Sequence, residues 1–186
     1  MASILNVDQI NNAAGTSGIA LDASTGKASF PNSVTIPNGA TMPAGSIIQV
    51  KQISTGVFLT NTTTSYVDMT NMTLSITPSS TSSKILILAS LSVAAQRSGT
   101  VDLHGSTRLM RDTTEISRHD IRTYDFGVGG IYILGTLAYS YTDAPSTTSA
   151  ITYKFQMRKV AGDTAAVDMN PELNNKCEMV LMEIAQ

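Results

Sequence analysis

Apolar and polar side chains alternate with a period of two over much of this chain, which is the mark of strands with one buried face. Ile151, Tyr153, Phe155 and Met157 alternate with Thr152, Lys154, Gln156 and Arg158 over eight residues, the cleanest such run. Met72, Leu74 and Ile76 alternate with Thr73, Ser75 and Thr77 until Pro78 stops the run. Ile47 to Ile53 reads as another strand, closed by the turn formers Ser54, Thr55 and Gly56. Ile85, Ile87, Ala89, Leu91 and Val93 share one face, with Leu86 and Leu88 on the other, which predicts a central strand covered on both faces at its start. Ile131, Ile133, Leu137, Tyr139 and Tyr141 share a face, and Gly135 between them predicts a site of close approach. In the last run Cys177, Met179 and Leu181 oppose Val180, Met182 and Ile184. A strand apolar on both sides aggregates if left at an open edge, so it is central in its sheet or covered by another subunit. Strands parted by Ser, Thr, Gly and Pro turns, without a long helical pattern, predict an all-β sandwich over residues 46–186.

The first 46 residues behave differently. Their only charges are Asp8, Asp22 and Lys27, and no apolar run exceeds two or three residues. That is too little apolar surface for an independent core. Residues 28–45 read as three copies of a six-residue unit: Ala28-Ser29-Phe30-Pro31-Asn32-Ser33, Val34-Thr35-Ile36-Pro37-Asn38-Gly39 and Ala40-Thr41-Met42-Pro43-Ala44-Gly45. Pro at the same place in each copy forbids a helix and removes a ladder hydrogen bond. A single chain cannot bury Phe30, Ile36 and Met42 in so narrow a segment, whereas identical chains around an axis can. These three residues are therefore expected at a trimer axis in a short shaft. Ahead of it, residues 1–27 read as an extended arm. Ile4, Val7 and Ile10 are spaced for a short helical stripe, while Leu5 and Val7 alternate as in a strand. Either way Ile4, Leu5, Val7 and Ile10 make an apolar tip suited to docking.

Composition narrows the classes. Ser and Thr number 21 and 24 of 186 residues, while charged residues are only 14% against a usual quarter. Hydroxyls thus replace charge at the surface, and they are not screened by salt. The net charge of −2 gives no general field for nucleic acid or an anionic membrane. No stretch approaches the roughly 20 apolar residues of a membrane span. The lone Cys177 cannot close an intrachain disulfide, and reads as a small buried residue of the last strand. Residues 1–18 lack both the basic and the apolar regions of a secretory signal, so a chain made and folded in a cytoplasm is expected.

Candidate chemistry is sparse. His104 and His119, the only histidines, lie near Asp102, Asp112, Glu115 and Asp120, but two histidines without tight spacing make a poor metal set. No metal or cofactor is expected. Gly127-Val128-Gly129-Gly130 lacks the spacing of a dinucleotide loop and reads as a turn. Asn61-Thr62-Thr63 and Asn71-Met72-Thr73 match glycosylation sequons, as a Thr-rich chain does by chance. No Gly-x-Ser-x-Gly elbow occurs and no carboxylate pair can be assigned, so enzymatic activity is not expected. The most varied stretch holds Arg97, Arg108, Arg111, Arg118 and Arg122 among nearly balancing carboxylates. It is the candidate contact surface, suited to interchain ion pairs or a saccharide rim and not to tracking a phosphate backbone.

Four segments carry a resemblance. They are the opening Met1-Ala2-Ser3-Ile4-Leu5-Asn6-Val7-Asp8-Gln9-Ile10, then Ser82-Ser83-Lys84-Ile85-Leu86-Ile87, then Ala144-Pro145-Ser146-Thr147-Thr148-Ser149-Ala150-Ile151-Thr152-Tyr153, and the ending Leu181-Met182-Glu183-Ile184-Ala185-Gln186. Together they resemble fibre and structural proteins of marine bacteriophage virions, of the cyanophage type especially. The resemblance implies a C-terminal ten-strand jelly roll similar to the tumour-necrosis-factor fold, assembled as a homotrimer, with an N-terminal segment that binds other virion proteins of the capsid or tail. The expectation is a non-enzymatic virion protein, assembled in the host bacterial cytoplasm, whose head is exposed to a host receptor or glycan. It inserts in no membrane and binds no nucleic acid. The alternative is a capsid decoration protein that stabilises the shell.

Overall fold

The structure is a computed structural model that describes residues 9–11, 17–21, 28–29, 42–97, 103–123, 130–160, 166–172 and 174–186. The chain divides into two compact units, Met1–Thr41 and Met42–Gln186. In the first, β1 (Gln9–Asn11), β2 (Ser17–Leu21) and β3 (Ala28–Ser29) form an antiparallel sheet in that order, with Ile10 opposite Ile19. Ile10 is thus in strand backbone, the extended alternative at that position. The anchor residues Ile4, Leu5 and Val7 and the shaft residues Phe30 and Ile36 lie outside the described residues. The third shaft residue, Met42, opens the second unit and is half-buried.

The second unit is all-β; its described residues contain no helix. Its strands are β4 (Ile47–Thr55), β5 (Leu59–Asn61), β6 (Val67–Ile76), β7 (Lys84–Arg97), β8 (Leu103–Arg111), β9 (Thr114–Thr123), β10 (Ile131–Asp143), β11 (Ile151–Lys159), β12 (Ala166–Met169) and β13 (Cys177–Ile184). Each predicted run is a strand. Six strands make one antiparallel sheet in the order β4-β13-β7-β12-β5, with β10 along the other side of β7. The second sheet runs β6-β11-β8-β9. Their inner faces meet in a core that includes Ile85, Ile87, Leu91, Tyr153, Phe155, Met157, Met179 and Leu181, as a β-sandwich requires. The two ends of the second unit are tied together, since Gly45 N donates to Ala185 O (2.9 Å) and Ala185 N to Ser46 O (2.9 Å).

The apolar strand β13 is central, paired on one side with β4 and on the other with β7. Its inward residues Cys177, Met179 and Leu181 are fully buried, while Val180, Met182 and Ile184 are only half-buried on the outer face. Within a single chain the expectation that β7 is covered on both faces needs correction. Its odd positions fill the core, but Leu88 is 37% exposed, and no strand among the described residues lies over the outer face there. Gly135 is a second correction. A side chain added there would meet nothing within 4 Å, whereas one at Gly105 would lie 2.8 Å from Val167 Cγ2. The close approach is where β8 passes under β12, and β10 is open at Gly135.

Two polar clusters fasten the core's edges. Arg111 on β8 donates from Nη1 to Asp143 Oδ1 (2.8 Å) and Oδ2 (3.0 Å), and the Tyr153 hydroxyl donates to Asp143 Oδ2 (2.6 Å). These contacts clamp the end of β10 to the opposite sheet, and burial followed by the Asp143 carboxylate pushes the Tyr153 phenol far above its usual range. Glu183 on β13 is fully buried, and accepts from Gln49 Nε2 (2.6 Å), Ser79 N (2.7 Å) and Ser79 Oγ (2.7 Å). Asn61, the first sequon asparagine, is buried and spends its amide on Ser65 O (3.0 Å) and Met157 O (2.9 Å), a structural role.

Candidate functional site

The sandwich has two outer faces of opposite character. On the six-stranded sheet the outward rows of β4, β13, β7 and β10 lie in register. Val50 stands opposite Met182, Met182 opposite Leu86, Val180 opposite Leu88, and Leu134 opposite Ala94. Val50 (53%), Leu88 (37%), Tyr132 (47%) and Leu134 (44%) are large apolar or aromatic side chains left open to water. The remaining outward positions hold mainly Ser, Thr, Gln and Ala, such as Gln52, Ser90, Thr136 and Ala138. In these four rows the described charges are Lys84 and Glu178, at opposite ends of the β7–β13 pairing. Rows that are apolar, hydroxyl-rich and low in charge, bordered by the buried Asp168 of β12 opposite Ala94, have the composition of an interface core.

The outer face of the four-stranded sheet is charged. Period two sends Lys154, Gln156 and Arg158 of β11 outward because Tyr153, Phe155 and Met157 fill the core. Arg108 of β8 lies directly opposite Arg118 of β9, a like-charge pairing that costs stability by itself. Glu115 relieves it by accepting from Arg108 Nη1 (3.0 Å) and pairing with Arg118 Nη2 (2.7 Å). Arg118 above all, and Arg108 after it, hold the Glu115 carboxyl below its usual range. Arg108 also donates from Nε to Gln156 Oε1 (2.7 Å), and its guanidinium lies 3.8 Å from the centre of the Tyr66 ring. Arg158 lies 4.5 Å from the same centre and Arg118 6.0 Å, so three guanidinium groups gather about one phenol. The Tyr66 hydroxyl meets Ser106 Oγ at 2.8 Å, which fixes the ring. Beside it Lys154 Nζ pairs with Asp68 (3.0 Å). Burial raises the Asp68 pKa, but hydrogen bonds from Gln156 and Lys154 outweigh it and leave the pKa below the usual value.

The five arginines of the sequence candidate therefore do not form one surface. Arg108, Arg118 and Arg122 sit on β8 and β9 in the outward rows. Arg111 turns between the sheets to Asp143. Arg97 is 4% exposed at the end of β7. The structure adds Tyr66 and Arg158, which sequence reasoning passed over. Arg158 had a visible signal, the outward row of the alternating run 151–158. Tyr66 had none, because it follows a run of threonines and meets the arginines only through folding.

The two histidines occupy opposite faces of β8 and β9. His104 points outward within 3.5 Å of Asp120, and His119 stacks on Tyr139 in the interior at 4.0 Å between ring centres. They cannot ligate one ion, and the described residues contain no group of three or more His, Cys, Asp or Glu placed to hold a metal. Cys177 is buried, and burial pushes its thiol up to about 11, so it stays protonated. What these faces can do is bind: one by excluding water from apolar surface, the other by presenting fixed guanidinium groups. The chain matches no protein-family model, and no curated protein matches it.

Proposed function

We propose that this chain is a non-enzymatic structural protein of a bacteriophage virion, assembled as a homotrimer. Its N-terminal arm binds the particle, and its C-terminal jelly-roll head is exposed for host or receptor contact. The observation that carries the reading is the charge-depleted outer face of the six-stranded sheet. Burying apolar surface contributes about 25 cal/mol per Å², and identical chains with the same face are the partners always present at equal concentration. The strand order supports the jelly roll. With the eight long strands β4, β6, β7, β8, β9, β10, β11 and β13 numbered in sequence, one sheet runs 1-8-3-6 and the other 2-7-4-5. That interleaving is the order expected of two Greek keys wrapped on each other. The resemblance of the chain's opening and closing segments to phage fibre proteins supports the virion setting.

Light scattering of the intact chain tests the assembly. A mass near three times 19.7 kDa is expected at micromolar concentration. Val180→Asp, which places charge in the middle of the face, is expected to lower the mass while the strand content stays. A stable single copy of the unaltered chain overturns the trimeric assembly. Host contact is tested separately. Purified protein is expected to bind host cells and compete with infection, and failure to do either removes that role.

A further inference from the structure

We infer that the guanidinium cluster around Tyr66 on the outer face of the four-stranded sheet is a binding site for an acidic polysaccharide, with Arg158 as its principal anion-binding group. This rests on the proposed contact role of the head and names its ligand class. Arg108 and Arg118 share Glu115, and so are partly neutralised. Arg158 is different. Among the described residues its guanidinium has no carboxylate partner and donates no hydrogen bond, its Nε is buried, and it lies over the Tyr66 ring. A cation fixed by a ring and lacking an anion is a preorganised receptor, and a guanidinium matches the two oxygens of a sulfate ester or a carboxylate.

The surroundings favour a sugar acid. Among the described residues, the outward rows carry Arg108, Arg118, Lys154 and Arg158 beside the carboxylates Asp68, Glu115 and Asp120; Lys154 pairs with Asp68, and Arg108 and Arg118 share Glu115. Interspersed carboxylate and amide oxygens accept from sugar hydroxyls, while Arg158 takes the acid group. The same carboxylates repel a continuous phosphate backbone, and Tyr66 is already covered by guanidinium, which leaves it poorly placed for base stacking.

Calorimetry with the full chain tests this, using four probes: a dextran sulfate oligomer, a polygalacturonate oligomer, neutral dextran and a single-stranded oligonucleotide. Binding of one or both acidic saccharides, and none of neutral dextran, is expected; which acidic probe binds separates sulfate from carboxylate. Arg158→Gln is expected to weaken binding at least tenfold with an unchanged melting curve. Arg118→Gln, at a more exposed position, is expected to weaken it less, and serves in its place if Arg158→Gln does not fold. Equal binding by the variants, binding of neutral dextran, or tighter binding of the oligonucleotide overturns the site. Scattering mass is read on the same samples. A trimer that binds no saccharide removes this site alone, and a single copy that binds removes the trimer alone.

Discussion

Asp143 and Glu183 are two buried carboxylates that the fold partners in different ways. Asp143 has a cation and a phenol, Arg111 and Tyr153, at 2.8 and 2.6 Å. Removing one partner of a buried pair leaves the other charge uncompensated. Asp143→Ala is therefore expected to cost about 3 kcal/mol, the low end of the range for buried pairs, since Arg111 keeps some contact with water. Tyr153→Phe is expected to cost about 1 kcal/mol. Urea denaturation at fixed protein concentration measures both, and equal effects would show that the guanidinium does not depend on Asp143. Among the described residues Glu183 pairs with no cation. Burial raises its pKa, but the donors Gln49 and Ser79 outweigh burial and leave it lowered. A carboxyl with a lowered folded-state pKa stabilises the fold above its unfolded value, about 4.3 for Glu, and loses that contribution as pH falls through the lower folded value. The melting temperature is expected to fall with acid in that window. In Glu183→Gln, already less stable at neutral pH, the acid dependence should be shallower; identical slopes would exclude Glu183 as a contributor.

At the scale of elements, alternation placed most strands but not their neighbours. β11 was legible because four inward and four outward positions alternate without a break. The hairpin from β8 to β9 was not, because its turn is the unremarked pair Asp112-Thr113. Asp112 takes φ 49°, which Asp tolerates, and its backbone N–H donates to Thr152 O (2.7 Å), so the turn is held by β11. Gly135 and Gly105 look alike in sequence, yet only Gly105 lies against a neighbour, the stiff side chain of Val167 on β12. Gly105→Ala is expected to cost about 1–3 kcal/mol by overpacking. Adding Val167→Ala should recover part of that loss relative to Val167→Ala alone. A Gly105→Ala protein as stable as the parent would show that β8 and β12 have slack at their crossing.

At the scale of the molecule, the two outer faces should respond oppositely to salt. The proposed contact between copies through the charge-depleted face would rely on excluding water, and the trimer mass by light scattering is expected to persist at about 1 M salt, where the screening length is about 3 Å. Saccharide binding at the guanidinium face is expected to weaken over the same range. Dissociation of the assembly by salt would move its interface to the charged face.

The sequence by itself determined the all-β class, the runs of β4, β7, β10, β11 and β13 with the second half of β6, and the burial of Cys177. These follow from period-two alternation and turn chemistry, which are properties of neighbours along the chain. It also limited where β13 could lie, because a strand apolar on both faces has few stable places. Only the tertiary structure decided which arginines share a surface. Five that are close in sequence are divided among an outer face, the space between the sheets and a buried strand end, while Tyr66 and Arg158 come together from strands far apart in sequence. Sheet pairing sets such company, and pairing depends on long-range registration of faces that no local pattern encodes.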